Sequence, residues 1–101
     1  MKNLSVQQSA ELLSQKNSIP LIDVRTPAEY GSVHAKGAVN HPMESLDLAK
    51  IPCSKEEEIH VICQSGGRSM KVCQKLEGAG FTNLVNVDGG TSAWQSAGLP
   101  V

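Results

Sequence analysis

The chain carries no excess of either charge: 9 Lys and Arg stand against 10 Asp and Glu in 101 residues, a formal net charge of -1. That excludes the basic stripe by which proteins bind nucleic acid or an anionic membrane, so any partner is found by shape or chemistry. Long apolar runs are also missing. The opening MKNLSVQQSAELLSQ lacks the apolar centre of a signal peptide, and no later stretch approaches the roughly 20 apolar residues of a membrane span. Paired cysteines are absent too, since Cys53, Cys63 and Cys73 are odd in number and match no C-x-x-C spacing. These absences lead to the expectation of a soluble, cytoplasmic chain with reduced thiols. No metal or cofactor is expected: His60 and Cys63 sit at positions of one strand that face opposite sides and do not converge on an ion. A chain this long makes one domain, 1–101, and buries about 60 to 70% of its unfolded surface.

What the chain does have is concentrated in Ile59 to Ser69, IHVICQSGGRS. A β-type run, Ile59 to Ile62, delivers Cys63 into a short loop with Gly66, Gly67 and Arg68, after which a helix pattern begins. Two glycines permit positive φ, so successive N–H groups can converge on one point, and the point they surround is the sulfur of Cys63. Such a nest, the positive end of the following helix and the Arg68 cation all favour a thiolate and so make a nucleophile. A cysteine at a strand end is ordinarily a small buried hydrophobe, but a core cysteine needs no anion-binding turn after it.

The remaining segments read as scaffold around that loop. Ser5 caps a helix ending near Lys16 or Asn17, and Pro20 to Val24 makes a short strand stopped by Arg25 and the Thr26-Pro27 break. Pro27 opens a short helix through Glu29 and Tyr30, capped by Thr26. Gly37-Ala38-Val39 leads to another short extended piece, stopped by Pro42, and Met43 to Ile51 suggests a helical turn or two. Ser54 to Glu58 is a solvated connector. After the loop, Met70, Cys73, Leu76 and Ala79 recur at intervals of three and give one buried face, which places Cys73 in the core. Leu84 to Val87 makes the last strand, and Asp88-Gly89-Gly90 turns into a helix with Ala93 and Trp94.

Strands alternating with helices over short connections predict an α/β fold, a mainly parallel sheet with helices on both faces. Ligands in such folds sit beyond the C-terminal strand ends. Three strands run into a polar or reactive residue there: Asp23, Cys63 and Asp88. Asp88 is read as a turn residue.

The stretches LIDVRTPAEY, HAKGAVNHP, CQSGGRS and NVDGGTSAWQSAGLPV, in this order and spacing, resemble a single-domain rhodanese, a protein of the thiosulfate sulfurtransferase family. One departure is Val33-His34-Ala35, where the family often shows Gly-His-Ile. The resemblance runs over nearly the whole chain and implies a rhodanese-like sheet of about five strands. It implies a catalytic Cys63, a substrate loop of Gln64, Ser65, Gly66, Gly67, Arg68 and Ser69, and supporting residues Asp23, Arg25 and Glu29. Arg68 is expected to hold donor charge, Gln64 and Ser65 to tune donor choice, Asp23 to order the loop, and Arg25 and Glu29 to form a scaffold ion pair. Only four residues, Gln64 to Gly67, separate Cys63 from Arg68. Related phosphatases have a loop one residue longer, which makes room for phosphate.

The implied reaction carries a sulfane sulfur from a small donor such as thiosulfate, through a Cys63 persulfide, to a thiol or cyanide acceptor. A carrier or adaptor module that takes persulfide sulfur from a relay protein is the alternative, ahead of a phosphatase or arsenate reductase. A monomer is expected.

Overall fold

The computed structural model describes residues 1–101. Five strands, β1 (Lys2–Leu4), β2 (Leu21–Asp23), β3 (Val39–Asn40), β4 (Ile59–Ile62) and β5 (Leu84–Val87), form one sheet in the order β1-β5-β4-β2-β3. Every neighbouring pair is parallel. Four helices, α1 (Val6–Gln15), α2 (Pro27–Ser32), α3 (Gly67–Gly78) and α4 (Gly90–Ser96), connect or follow the strands. No helix is long and apolar enough to cross a membrane.

Local chemistry explains the helix starts. Ser5 accepts a hydrogen bond from the N–H of Gln8 while the Gln8 side chain accepts from the N–H of Ser5, which closes the open end of α1 reciprocally. Thr26 and Glu29 do the same for α2, with Pro27 in the first turn where its missing N–H costs nothing. The Met43–Ile51 stretch forms two 3-10 turns, Met43–Ser45 and Leu48–Lys50, because Pro42 and Pro52 leave no room for a longer helix.

Side-chain alternation along the strands sorts the core onto two faces. On one, Ile22, Val24, Ile59, Val61 and Leu84 meet Val72, Cys73 and Leu76 of α3, with Cys63 at the same face. On the other, Leu21, Ile62 and Val87 meet Val6 of α1 and Trp94 of α4. His60 lies on this second face, bonded to Ser9 of α1 at 2.6 Å and to Glu58 at 2.6 Å, across the sheet from Cys63. The expected parity of the strand is therefore realised, and Cys73 is buried as the spacing indicated. One element was not anticipated. β1 is a short, mostly exposed edge strand whose residues Lys2, Asn3 and Leu4 pair with Val85, Asn86 and Val87.

Candidate active site

Cys63 leaves β4 with its backbone already fixed from below. The N–H and hydroxyl of Thr91 bond its carbonyl at 2.8 and 3.0 Å, and the N–H of Ser92 bonds the carbonyl of Gln64 at 3.1 Å. These donors belong to the first turn of α4, and they reach so close because Gly90 has no side chain. A Cβ at Gly90 would stand 2.5 Å from the Cys63 carbonyl oxygen and 2.6 Å from that of Gln64. The Asp88-Gly89-Gly90 turn is thus a platform under the loop, a function its sequence hid behind ordinary turn chemistry.

Above this platform the chain turns back at Gly66, whose φ of +114° no residue with a side chain adopts easily. Gly67, expected to share that role, has ordinary geometry and simply begins α3. Gly66 offers α3 no side-chain cap. The sulfur of Cys63 fills that place, accepting from the Gly66 N–H at 3.0 Å and from the Ser69 hydroxyl at 3.3 Å. Burial pushes the Cys63 thiol up, but the Ser69 hydroxyl and the N–H groups of Ser69, Gly66 and Ser65 outweigh it and hold the thiol below its ordinary 9.0. The other two thiols move the opposite way. Burial raises Cys53, with help from Glu57, and drives Cys73 up to about 12. The nest is the part of the expected site that the geometry supplies most directly.

The supporting residues are wired differently from the expectation. Arg25 and Glu29 do not pair with each other. Arg25 is 2% exposed and grips the fully buried Asp23 through Nε at 3.0 Å and Nη2 at 2.7 Å. Its remaining donors reach the Val33 carbonyl at 2.7 Å and the Gln64 side chain at 3.1 Å. Gln64 in turn donates to Ser92 at 2.7 Å. Asp23 therefore orders the loop through Arg25, and Gln64 ties the loop to α4.

Glu29 takes the other arginine. The Arg68 guanidinium forks onto its carboxylate at 2.7 and 2.9 Å, which brings that carboxyl from an ordinary 4.5 to about 2. The same contact raises Arg68. The cation expected to wait for a donor is thus already paired, and the thiolate is held chiefly by Ser69 and the loop amides.

Asp88 is exposed at the end of β5, with Oδ1 3.7 Å from where a Cβ on Gly66 would stand. The three strand ends named from sequence do converge. Three residues of the site could not be singled out from sequence: Thr91, Ser92, and Asn86, which accepts from the Ser69 hydroxyl at 2.5 Å. A polar residue in the middle of the apolar strand Leu84–Val87 was the available signal for Asn86.

A family profile described as Rhodanese-like domain matches residues 5–97. The chain is 40% identical over 91 residues to the chloroplastic thiosulfate sulfurtransferase 16 of Arabidopsis thaliana, an alignment covering 78% of this chain and 76% of that one. It is 32% identical over 92 residues to the thiosulfate sulfurtransferase GlpE of Tolumonas auensis, covering 91% and 86%. It spans only 52% of an uncharacterised relative from Synechocystis. The crystal structure of a rhodanese-like domain protein from Staphylococcus aureus matches the fold with a TM-score of 0.82 at 31% identity, over 93% of this chain and 91% of that one. With a parallel sheet of that architecture and a cysteine seated in the loop after β4, the chain belongs to the family of rhodanese-like domains.

Proposed function

We propose that the protein is a cytoplasmic, monomeric sulfurtransferase that carries sulfane sulfur as a persulfide on Cys63. The observation that carries this reading is the sulfur's position as the acceptor at the start of α3, bonded by Gly66 and Ser69 and held below its ordinary pKa. The thiolate attacks the outer sulfur of thiosulfate, the S–S bond of the donor breaks with its electron pair leaving on sulfite, and Cys63 becomes a persulfide anion. An acceptor then takes the outer sulfur and returns the thiolate; with cyanide the product is thiocyanate. The loop amides that hold one anionic sulfur serve the persulfide in the same way.

Incubating the protein with thiosulfate alone should add one sulfur atom to the Cys63 peptide, and cyanide should remove it. Cys63→Ser should lose both responses. Sulfur found on Cys53 or Cys73 instead would overturn the proposal.

A second reading has its own support. Glu29 already answers the charge of Arg68, and Gln64 and Ser65 are uncharged, so little pulls a small dianion to the loop. That favours a relay in which a partner protein's persulfide is the donor. Loading from a persulfidated cysteine desulfurase much faster than from thiosulfate supports the relay, and the reverse order supports the small-donor enzyme. The short loop between Cys63 and Arg68 argues against phosphate and arsenate chemistry.

A further inference from the structure

The Ser69 hydroxyl has one proton and three acceptors around it: the Cys63 sulfur at 3.3 Å, the Gly66 carbonyl at 3.0 Å and Asn86 Oδ1 at 2.5 Å. With the Asn86 oxygen turned toward it, the shorter contact draws that proton toward Asn86 and weakens the bond Ser69 gives the sulfur. This arrangement suits a thiol, which can donate its S–H to Ser69. It does not suit a thiolate, which needs the Ser69 proton for itself.

Behind Asn86 the chain continues to the surface. Asn86 Nδ2 donates to Asn3 Oδ1 at 2.9 Å, and the two residues are direct neighbours in the pairing of β1 with β5. Asn86 is 1% exposed and Asn3 is exposed. A half-turn of the Asn86 amide exchanges its oxygen and its NH2 at nearly the same positions. Asn86 then donates to Ser69, Ser69 gives its proton to the sulfur, and Asn86 Oδ1 faces Asn3. The exposed Asn3 amide can turn and offer its own NH2 in reply. Every bond in the row survives with its direction reversed.

We propose that Asn3 and Asn86 form a reversible amide relay that aims the Ser69 hydroxyl, pointing it away from the Cys63 thiol and toward the thiolate or persulfide. Asn3 and Asn86 are positioning residues, acting only through Ser69. The proposal rests on the reading of Cys63 as the sulfur-carrying nucleophile. No covalent bond to Ser69, Asn86 or Asn3 changes, and the thiol proton leaves to water. Packing does not account for Asn86: a buried amide in a strand is costly unless bonded, and valine would fill a similar place. The charged and titratable groups around the sulfur are Arg68 with Glu29, Arg25 with Asp23, Cys73 on α3 and Asp88 beyond β5. None of these makes a hydrogen bond to it.

Asn3→Asp tests the relay at the surface, where folding is not at risk. A carboxylate only accepts, so it holds the Asn86 NH2 toward Asn3 and keeps Ser69 aimed away from the sulfur. Alkylation of the Cys63 peptide by iodoacetamide, followed across pH by mass spectrometry, should slow roughly three- to tenfold at pH 7, with its profile displaced upward. The slowing should persist at about 1 M salt, where a remote charge is screened. It should vanish in a Ser69→Ala background, where the relay has nothing to aim. Asn86→Ala cuts the row between Asn3 and Ser69, so Asn3→Asp should change nothing in that background. Equal slowing with and without Ser69 or Asn86, loss of the effect in salt, or an unchanged profile in Asn3→Asp would each overturn the relay. The readout is alkylation, so it stands apart from sulfur loading, whose failure would instead count against Cys63 as a sulfur carrier.

Discussion

Two arginine–carboxylate pairs brace the same cysteine loop, at different depths. Asp23 with Arg25 lies under it, the arginine 2% exposed and the aspartate fully buried, and the arginine's other bonds go to the Val33 carbonyl and the Gln64 side chain. Glu29 with Arg68 lies beside it, each side chain about a third exposed at 34% and 31%. The geometry of the two contacts is similar, but the surroundings differ. A buried pair cannot lose one partner without stranding the other in a medium that will not solvate it. An exposed pair can open, because water takes over both charges. The lower pair is therefore suited to holding the fold of the site, and the upper pair to changing partners during a reaction.

The largest effect should come from breaking the lower pair. Arg25→Met leaves Asp23 buried and unpaired, and should cost about 3–5 kcal/mol of stability. For a domain of this size that lowers Tm by more than about 10 °C. Thermal unfolding checks it, and a loss under about 1 kcal/mol would show that the lower pair is not the anchor. The double variant Arg25→Met with Asp23→Leu should regain much of the loss, because no buried charge remains.

The upper pair should show the opposite pattern. Arg68→Ala should move stability by less than about 1 kcal/mol. It should lower kcat/KM for thiosulfate about tenfold or more, since it removes a cation from beside the cysteine loop and also leaves the Glu29 carboxylate there to repel an anionic donor. Arg68→Lys should rescue only part of this, because an ammonium is not a planar fork. Kinetics of Arg68→Ala equal to wild type would take the arginine out of the reaction.

This contrast explains what the sequence could and could not reveal. The strand Ile59–Ile62, the cysteine at its end and the helix after it were legible because their signals are local: an apolar run, a glycine turn, a period of three. The arginine pairings were not. Arg25 and Glu29 stand four apart, a spacing that reads as a helical pair, but α2 begins at Pro27 and leaves Arg25 outside the helix, free to fold back onto Asp23. Arg68 and Glu29 are brought together only by the packing of α2 near α3, across 39 residues of sequence. The edge strand β1 was hidden for the same reason, since a tripeptide as short as Lys-Asn-Leu becomes a strand only where β5 is present to pair with it.

Glu29→Gln sharpens the comparison further. The amide oxygen still accepts from Thr26 and keeps the helix cap, while the counter-charge to Arg68 is gone. The freed cation should attract thiosulfate, so KM should fall a few-fold and become more sensitive to salt. In an Arg68→Ala background the same change should bring only the smaller gain of removing a repelling charge. If Glu29→Gln leaves KM unchanged, the pair is not an obstacle to the donor.

The smallest effect is in acid. Glu29 titrates at about 2 in the folded protein against an ordinary 4.5, because Arg68 favours its charged form. A carboxyl depressed by folding stabilises the protein above its unfolded value, and that stability is lost as pH falls through 4.5 toward 2. The pair is partly exposed and screened, so the loss should stay under about 1 kcal/mol. Urea unfolding of wild type and Glu29→Gln at matched pH should therefore give stabilities that differ near pH 7 and draw together between pH 4.5 and pH 2. A gap that stays constant across this window would mean that the ion pair contributes nothing measurable to stability, and that the upper pair matters for charge at the site alone.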